Sequence, residues 1–310
     1  LRCGRKRSMV RERVLGEHGM MRWFRDFDLV WDTRSGDSFA DIYGLDRHLK
    51  MSMLYEFAAQ AGIPTVLAPQ TIGPFNTPVG RALARRNLRR STLVYARDAL
   101  SDGAAAALGR KSDALTTDLV FGIDQPASTE QRDVLLNVSG LLWNENPHVD
   151  HERYRGATTA IINTLYADGR SITLLPHVLD SPNADNDVPV SRHLVDALGG
   201  KVDLHVPADL DDVRSTIAGA NLVIGARMHA CLNALSTGTP AIALAYSRKF
   251  APLLNGLGWP HVVSLASATD IASDVASMAA IDDLQAQASA ARQTGAHAIA
   301  GIEPGLRALG

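Results

Sequence analysis

An arginine and a histidine stand two residues apart where an apolar run gives way to a helical pattern. Arg227 and His229 closely follow "NLVIG", and the helical pattern begins near Met228. Residues two apart in extended backbone project to the same side, and the first turn of a helix offers unpaired amide N–H groups. A guanidinium, amides and an imidazole would together form an anion pocket with a proton donor beside it. The alternative is an arginine paired with a carboxylate and a histidine buried in the core.

Two further basic residues occupy similar strand-to-helix junctions. Lys249 lies shortly after "PAIALAY" and would add a second cation to the same ligand, although a surface lysine with its charge in water is the simpler interpretation. Arg97 follows "STLVYA", where it either contacts the ligand or pairs with the neighbouring Asp98. For both residues the spacing is compatible with either role.

Polar loops after other predicted strands supply a second set of candidates. His177 ends "SITLLPH" and Asp187 lies in the loop beyond it. One histidine and one aspartate ten residues apart form a weak metal-ligand set, so we predict no metal site and leave contact with a sugar or nucleotide and ordinary loop polarity as alternatives. In the loop after "FDLVWDT", Gly36 permits close backbone approach, and Asp37 and Asp41 could hold sugar hydroxyls.

Composition and missing motifs exclude several function classes. The 310 residues carry a net charge of -2, which gives no indication of nucleic-acid binding, and no apolar run approaches the roughly 18 residues of a membrane span. The sequence contains no G-x-G-x-x-G, P-loop, G-x-S-x-G or H-E-x-x-H pattern. Cys3 and Cys231 lie far apart, which favours a reducing, cytoplasmic location, and Cys231 is interpreted as a small buried residue.

The elements that must position these residues alternate along the chain. Apolar strand-like runs and helical patterns follow each other over most of the length, which predicts an α/β fold with two Rossmann-like domains facing across a cleft. The polar segment "DQPASTEQRD" predicts a linker, and the domains are expected at residues 1–130 and 131–310. Ligands of open parallel sheets bind beyond the carboxyl ends of the strands, where most of the candidate residues lie.

Six stretches, taken in order, resemble the polysaccharide pyruvyl transferase family. They are "DTRSGDSFADIYG", "PQTIGPF", "ARDALSDGAAAALG", "TTDLVFGID", "LLPH" with a later "ND", and "VIGARMHACLNALSTGTPAIALAYSRKF", and together they cover roughly residues 28–258. The resemblance implies an architecture like that of the B-type glycosyltransferases. It also implies transfer of the enolpyruvyl unit of phosphoenolpyruvate to a sugar as a ketal, with phosphoenolpyruvate as co-substrate and no cofactor or metal.

The resemblance further implies roles for individual residues. Arg227 and His229 match the donor site of the family, and we expect His229 to act as the general acid that protonates the CH2 carbon of the donor. Donor-binding candidates are Arg97, Lys249 and Gly225; acceptor-binding candidates are His177, Asp187, Gly36, Asp37 and Asp41.

One departure from the family concerns the amino end. Members usually begin with a strand and a "G-N-x-G-D"-like turn, and nothing similar precedes Phe27, so we expect that part of the active site to be missing from this chain. The basic segment "LRCGRKRSMVRERV" leaves two alternatives, peripheral contact with anionic lipid at the inner face of a membrane or a solvated arm. A nucleotide-sugar glycosyltransferase and a non-catalytic family member are the competing functions. The acceptor sugar, its linkage to lipid and the oligomeric state stay open.

Overall fold

A computed structural model describes residues 19–128, 130–179 and 185–309. The described chain divides into two compact units, one formed by residues 19–118 with 298–309 and the other by residues 119–297. The predicted basic amino-terminal segment and Cys3 lie outside the described residues. None of the described helices combines the length and the hydropathy needed to cross a bilayer.

The first unit is built on a four-stranded parallel sheet. Its strands are β1 (Val30–Asp32), β2 (Thr65–Gln70), β3 (Leu93–Ala96) and β4 (Ala114–Leu115), in the spatial order β1-β2-β3-β4. Its helices are α1 (Met20–Phe24), α2 (Leu45–Gln60), α3 (Pro78–Arg90), α4 (Ala99–Ala107) and α13 (Glu303–Arg307), with a short 3-10 turn at Arg34–Gly36. Every residue of β2 is buried, which is typical of a central parallel strand covered on both faces.

Local chemistry explains where the helices of the first unit begin. The Thr77 hydroxyl accepts a hydrogen bond from Gly80 N, and Pro78 occupies the first helical turn, where its missing N–H costs nothing. Asp98 likewise accepts from Ser101 N and caps α4. These caps place the starts of α3 and α4 beside the carboxyl ends of β2 and β3.

The second unit contains a six-stranded parallel sheet. Its strands are β5 (Arg132–Asn137), β6 (Ile172–Leu174), β7 (Val202–Leu204), β8 (Ala220–Gly225), β9 (Ala241–Ala245) and β10 (Val262–Ser264), in the spatial order β10-β9-β8-β5-β6-β7. Its helices are α5 (Gly140–Trp143), α6 (His151–Ala167), α7 (Val188–Leu198), α8 (Leu210–Ala218), α9 (Met228–Thr237), α10 (Phe250–Gly256), α11 (Ile271–Ala279) and α12 (Leu284–Ala300), after a 3-10 turn at Leu119–Gly122. The two parallel sheets with intervening helices confirm the predicted α/β class and its two Rossmann-like domains.

The strand order of the second unit reverses between β5 and β8. The chain runs from β5 outward to β6 and β7, then returns to β8 and proceeds to β9 and β10 on the other side. β5 and β8 pair in parallel up to their last residues, Asn137 and Gly225. Such a switch point opens a crevice beyond the strand ends, the usual ligand site of open α/β sheets.

The boundary between the units falls earlier than the expected one after residue 130. The segment that follows Asp118 is bonded to the second unit, because Asp124 O accepts from Arg214 Nη2 at 3.2 Å and Gln125 Nε2 donates to Ser236 O at 2.9 Å. The last residues belong to the first unit, where Tyr95 Oη donates to Ile302 O at 3.0 Å.

Candidate active site at the switch point of the second unit

Asn137 joins three strand ends at the switch point. Its Oδ1 accepts from Arg227 N at 2.9 Å, directly after β8. Its Nδ2 donates to Leu175 O, after β6, at 3.1 Å and to Asp187 Oδ2 at 3.2 Å. The buried amide therefore fixes the backbone of Arg227 before any ligand is considered. Asn137 was not identified from the sequence, although a polar residue inside the apolar run "VLLNVS" was an available signal.

Asp187 is the most highly bonded side chain of the site. It is fully buried, and its carboxylate accepts from Asn137 Nδ2, from Gly140 N at 2.8 Å, and from the backbone N–H groups of His177 and Val178 at 3.1 Å. It also accepts from the Arg227 guanidinium. A buried carboxylate needs this many donors to offset its lost hydration. The observed contacts are those of a positioning residue, and the role of Asp187 toward an acceptor stays a prediction.

The Arg227 guanidinium lies between two carboxylates of different exposure. Its Nη2 donates to Asp187 Oδ1 at 2.7 Å, and its Nη1 lies 2.7 Å from Asp185 Oδ1. The Asp187 side chain is buried, whereas that of Asp185 is 42% exposed. Burial alone would lower the pKa of Arg227, but the hydrogen bonds and charges of both aspartates outweigh it and raise that pKa. Asp187 is thus the buried counter-ion, and Asp185 is the partly exposed one, although its Oδ1 on Arg227 is itself buried.

Two histidines lie beside this arginine. His229, in the first turn of α9, has an exposed side chain, and its backbone O accepts from Asn233 Nδ2 at 2.9 Å. The same Asn233 Nδ2 lies 3.3 Å from His177 Nε2. The pKa of His177 is lowered to about 4, mainly by burial; the charges of His229 and Arg227 act in the same direction, and Asp187 partly compensates. The charges of His229 and Arg227 therefore both act on His177.

A buried arginine determines which nitrogen of His177 carries the proton. Arg214 Nη1 donates to Asn233 Oδ1 at 3.1 Å, which leaves Asn233 Nδ2 to face His177 Nε2. His177 Nε2 must then accept, so the neutral ring holds its proton on Nδ1. That atom is buried and has no hydrogen-bond partner among the residues described. Arg214 and Asn233 were not identified from the sequence, because nothing local marks them as neighbours of His177.

Gly225 and Cys231 explain how closely α9 approaches the end of β8. A Cβ at Gly225 would come within 2.8 Å of Cys231 Sγ, so only glycine allows this separation. Cys231 is buried, as expected, and burial raises the pKa of its thiol to about 12. A thiol in this state is a packing group and not a nucleophile. The donor-binding role of Gly225 stays a prediction.

Lys249 lies after the neighbouring strand, β9, as the residue that precedes α10. Its side chain is half-buried. Close by in sequence, the Tyr246 ring packs 5.5 Å from the ring of His148 and 5.6 Å from that of Phe250. The position next to the end of β8 is compatible with a second cation near Arg227, which stays a prediction.

The remaining candidates lie in the first unit. Arg97 is buried, and its Nη1 donates to Asp118 Oδ2 at 3.0 Å, while Asp98 lies farther away at 4.0 Å from Nε. A Cβ at Gly36 would lie 3.5 Å from Arg97 Nη1, so this glycine brings the backbone turn close to the guanidinium. Arg97 and Gly36 therefore form a group of their own within this unit.

The two acidic candidates of the first unit have structural partners. Asp41 accepts from Asn76 N, Thr77 N and Thr77 Oγ1, each at 2.7 Å, and so holds the loop that leads into α3. Asp37 accepts from Tyr43 Oη at 2.7 Å. The described contacts thus engage both oxygens of Asp41 in the fold, and binding of sugar hydroxyls by either aspartate stays a prediction. Among the residues described, no group of three His, Cys, Asp or Glu is placed to hold a metal ion.

Solved structures of low sequence identity share this fold. UDP-GlcNAc 2-epimerase from Neisseria meningitidis, bound to UDP-GlcNAc, aligns with a TM-score of 0.59 and 13% identity over 98% of this chain and 83% of that one. Anabaena HepE, in complex with UDP and glucose, aligns with a TM-score of 0.56 and 12% identity over 94% and 80%. At these identities the likeness concerns the fold alone, which is like that of the B-type glycosyltransferases.

Sequence relatives narrow the family. The amylovoran biosynthesis protein AmsJ of Erwinia amylovora is 25% identical over 253 residues, which represent 74% of this chain and 59% of that protein, so the chain spans less than two thirds of that relative. The family model described as polysaccharide pyruvyl transferase matches residues 26–248, which include β1 to β9 and both Arg227 and His229. The chain therefore belongs to the polysaccharide pyruvyl transferase family.

Proposed function

We propose that this chain transfers the pyruvyl group of phosphoenolpyruvate to a sugar and forms a pyruvate ketal. The observation that carries the proposal is the switch-point arginine, Arg227, held by a buried carboxylate beside the exposed His229 in a member of this family. Phosphoenolpyruvate carries a phosphate and a carboxylate, and a planar guanidinium binds either group through two hydrogen bonds. The sugar would be part of a polysaccharide precursor, free or linked to lipid.

Donor binding would use the difference between the two aspartates. Asp187 stays buried and holds the guanidinium in place, whereas Asp185 is partly in water at 2.7 Å from Nη1. An incoming phosphate or carboxylate oxygen would take the position of the Asp185 carboxylate on Nη1. The exchange replaces one anionic partner of Nη1 by another, and the Asp185 side chain, 42% exposed, already lies partly in water.

The reaction needs one proton donor and two hydroxyls. His229 donates a proton to the CH2 carbon of the donor while a sugar hydroxyl attacks the adjacent carbon. Phosphate then leaves with the electron pair of its C–O bond, and a second hydroxyl of the same sugar attacks and closes the ketal. One hydroxyl proton restores His229, and the other leaves with the phosphate, so the products are the ketal and hydrogen phosphate.

Turnover would test the acid. With labelled phosphoenolpyruvate and an oligosaccharide acceptor, His229→Ala should lower kcat by about 10²–10⁴-fold, the usual contribution of a general acid. His151→Ala, which removes an imidazole paired with Glu152 at the start of α6, serves as the matched control and should retain activity. Full turnover in a folded His229→Ala protein would remove the acid assignment.

Donor binding can be measured without knowing the acceptor. A ligand at 100 times its Kd stabilises the folded state by about 2.7 kcal/mol, which a thermal-shift assay detects. We expect phosphoenolpyruvate to stabilise the chain, and Arg227→Gln to abolish the effect. Arg170→Gln is the control, because Arg170 is also held by a carboxylate, Asp133, but at the amino-terminal ends of the strands. An equal shift in Arg227→Gln would contradict the proposal.

Transfer of a sugar from a nucleotide is the second candidate function. It is favoured by the fold neighbours whose structures contain UDP or a UDP-sugar. UDP belongs in the same thermal-shift experiment. Stabilisation by UDP with no response to phosphoenolpyruvate would favour this second function over ketal formation.

A further inference from the structure

A recess lies next to the Arg227 centre, at the carboxyl-terminal edge of the sheet. Its volume is about 280 Å³, and it opens between the segment after β5 and the start of α7. The residues that line it are Gly140, Trp143, Asn144, Asn186, Pro189, Val190 and His193. None of these residues has a role in the reaction described above.

Asp187 connects the recess to the arginine. Gly140 N, in the wall of the recess, donates to Asp187 Oδ1 at 2.8 Å, and the same oxygen accepts from Arg227 Nη2 at 2.7 Å. Asn186 and Pro189 flank Asp187 in sequence, so the start of α7 belongs to both places. A molecule in the recess would therefore lie beside a molecule bound to Arg227.

The chemistry of the recess differs from that of the Arg227 centre. Its polar lining consists of two amides, an indole and an imidazole, and none of the lining residues is an Asp, Glu, Lys or Arg. A dianion such as phosphoenolpyruvate would find no counter-charge there, whereas hydroxyl groups can exchange hydrogen bonds with amides. An aromatic ring also offers an electron-rich face to the C–H groups of a sugar.

The size and rigidity of the recess suit one sugar ring. Sites for drug-sized ligands are about 300–1,000 Å³, so a volume of about 280 Å³ is too small for a nucleotide sugar. Trp143 is held in place, because its carbonyl accepts from Arg155 Nε at 2.8 Å and the Arg155 guanidinium lies 5.4 Å from its ring centroid. His193 meets the same ring at 6.1 Å and 63°. A platform fixed in advance lowers the entropy cost of binding.

We propose that this recess, lined by Trp143, Asn144, Asn186 and His193 and joined to Arg227 through Asp187, binds one neutral pyranose ring of the acceptor saccharide. That the bound sugar is the acceptor of the reaction rests on the proposed function. The binding of a sugar ring in the recess does not depend on it. It places the donor anion on Arg227 and the hydroxylated ring in the uncharged recess.

Saturation-transfer NMR on the whole chain tests the recess directly. The probes are methyl β-D-galactopyranoside and methyl β-D-glucopyranoside, and the control ligand is the acyclic polyol sorbitol. We expect saturation of the ring protons of at least one hexoside, and about a fivefold loss of affinity in Trp143→Ala, the order of one aromatic contact. His193→Ala should also weaken hexoside binding. Because the His193 side chain is exposed, this variant should fold as the unchanged chain does.

Tyr166→Ala is the matched control. Tyr166 is 50% exposed and lines another cavity, of about 450 Å³, with residues at the amino-terminal ends of β6 and β7. This variant should bind the hexoside as the unchanged chain does. Three results would each contradict the proposed sugar site. They are no saturation transfer to either hexoside, equal transfer to sorbitol, and unchanged affinity in folded Trp143→Ala and His193→Ala proteins.

The two proposals fail separately. Phosphoenolpyruvate should stabilise His193→Ala as strongly as the unchanged chain, because this residue does not contact Arg227 in the described structure. Hexoside binding that depends on Trp143, without stabilisation by phosphoenolpyruvate, would support the sugar site and contradict the ketal reaction. Stabilisation by phosphoenolpyruvate without hexoside binding would contradict the sugar site and leave the proposed donor binding supported.

Discussion

Each unit contains a buried arginine directly after a central strand, and the two side chains are held differently. Arg97, after β3, has one close carboxylate, Asp118, and its buried Nε has no hydrogen-bond partner among the described residues. Arg227, after β8, directs its guanidinium at Asp187 and at Asp185, and the second of these is 42% exposed. The same position in the fold therefore produces two kinds of arginine.

The difference lies in the groups that surround each guanidinium. Arg97 is covered by the turn around Gly36 and is 3% exposed. Arg227 combines a buried carboxylate, which fixes it, with a partly exposed carboxylate, which we propose the donor displaces, and its charge acts on His177 together with that of His229. Within the described structure, both arginines are buried. Arg227 differs from Arg97 mainly in its second, partly exposed carboxylate partner and in the nearby imidazoles.

The largest expected effect comes from removing the fixed counter-ion. Asp187→Asn should lower the free energy of unfolding of the second unit by about 3–5 kcal/mol, because Arg227 is left buried with its main counter-charge lost. Asp118→Asn also removes the charge opposite a buried arginine, Arg97, but it should cost the first unit less, about 1–3 kcal/mol, because the Asp118 side chain is 11% exposed whereas that of Asp187 is fully buried. Hydrogen exchange of amides in β5 and β8, compared with β2 and β3, measures each unit by itself. Equal losses of unfolding free energy in the two units would contradict the conclusion that the two arginines are held differently.

A smaller effect should appear as a dependence of stability on pH. The folded-state pKa of His177 is about 4, below its ordinary value of 6.5, so this neutral side chain contributes stability above pH 6.5 that is lost as the pH falls toward 4. Going from pH 7.5 to pH 5 should therefore cost about 2 kcal/mol through this group alone. His229, Arg227 and Asp187 are the charged or titratable groups that act on it.

His177→Gln provides the control for that dependence. Glutamine keeps an amide near Asn233 and does not titrate, so its second unit should lose about 2 kcal/mol less between the two pH values. Urea unfolding at each pH gives the comparison. The same loss in both proteins would show that His177 is not the group responsible.

The smallest effect concerns the exchangeable carboxylate. Asp185→Asn should lower the Kd for phosphoenolpyruvate by about threefold, the order of one ion pair that is partly in water, because the donor no longer competes with a carboxylate for Arg227 Nη1. Glu130→Gln, which alters the exposed pair with Arg132 in the same unit, should leave that Kd unchanged. Weaker donor binding in Asp185→Asn would mean that this aspartate assists the donor.

The fold could be predicted from the sequence because its signals are local. The alternation of apolar runs and helical patterns identified the parallel α/β class, and "PAIALAY" contains β9 as expected. The run "ALTTDLVFGI" contains the two-residue β4 and then the 3-10 turn at Leu119–Gly122, and Thr116 Oγ1 donates to Ala96 O between them. The segment "SRHLVDALGG" forms the greater part of α7, which begins at Val188 with Pro189 in its first turn.

The site could be predicted only in part, because most of its bonds join distant residues. Arg227 and His229 were found from their two-residue spacing. Asn137 is 90 residues from Arg227 in sequence, and Asn233 is 56 residues from His177. No periodicity links such positions, and only the order of strands around the switch point brings them together.

The several bonds of Asp187 carry a consequence for engineering. One carboxylate accepts hydrogen bonds from Gly140 N in the wall of the proposed sugar recess, from His177 N and from Arg227 Nη2. A library of variants at Asp187 would disturb all three contacts at once, whereas substitutions at Trp143 and His193 would alter only the lining of the recess. Attempts to change which saccharide is bound should therefore vary these two lining residues and keep Asp187 constant.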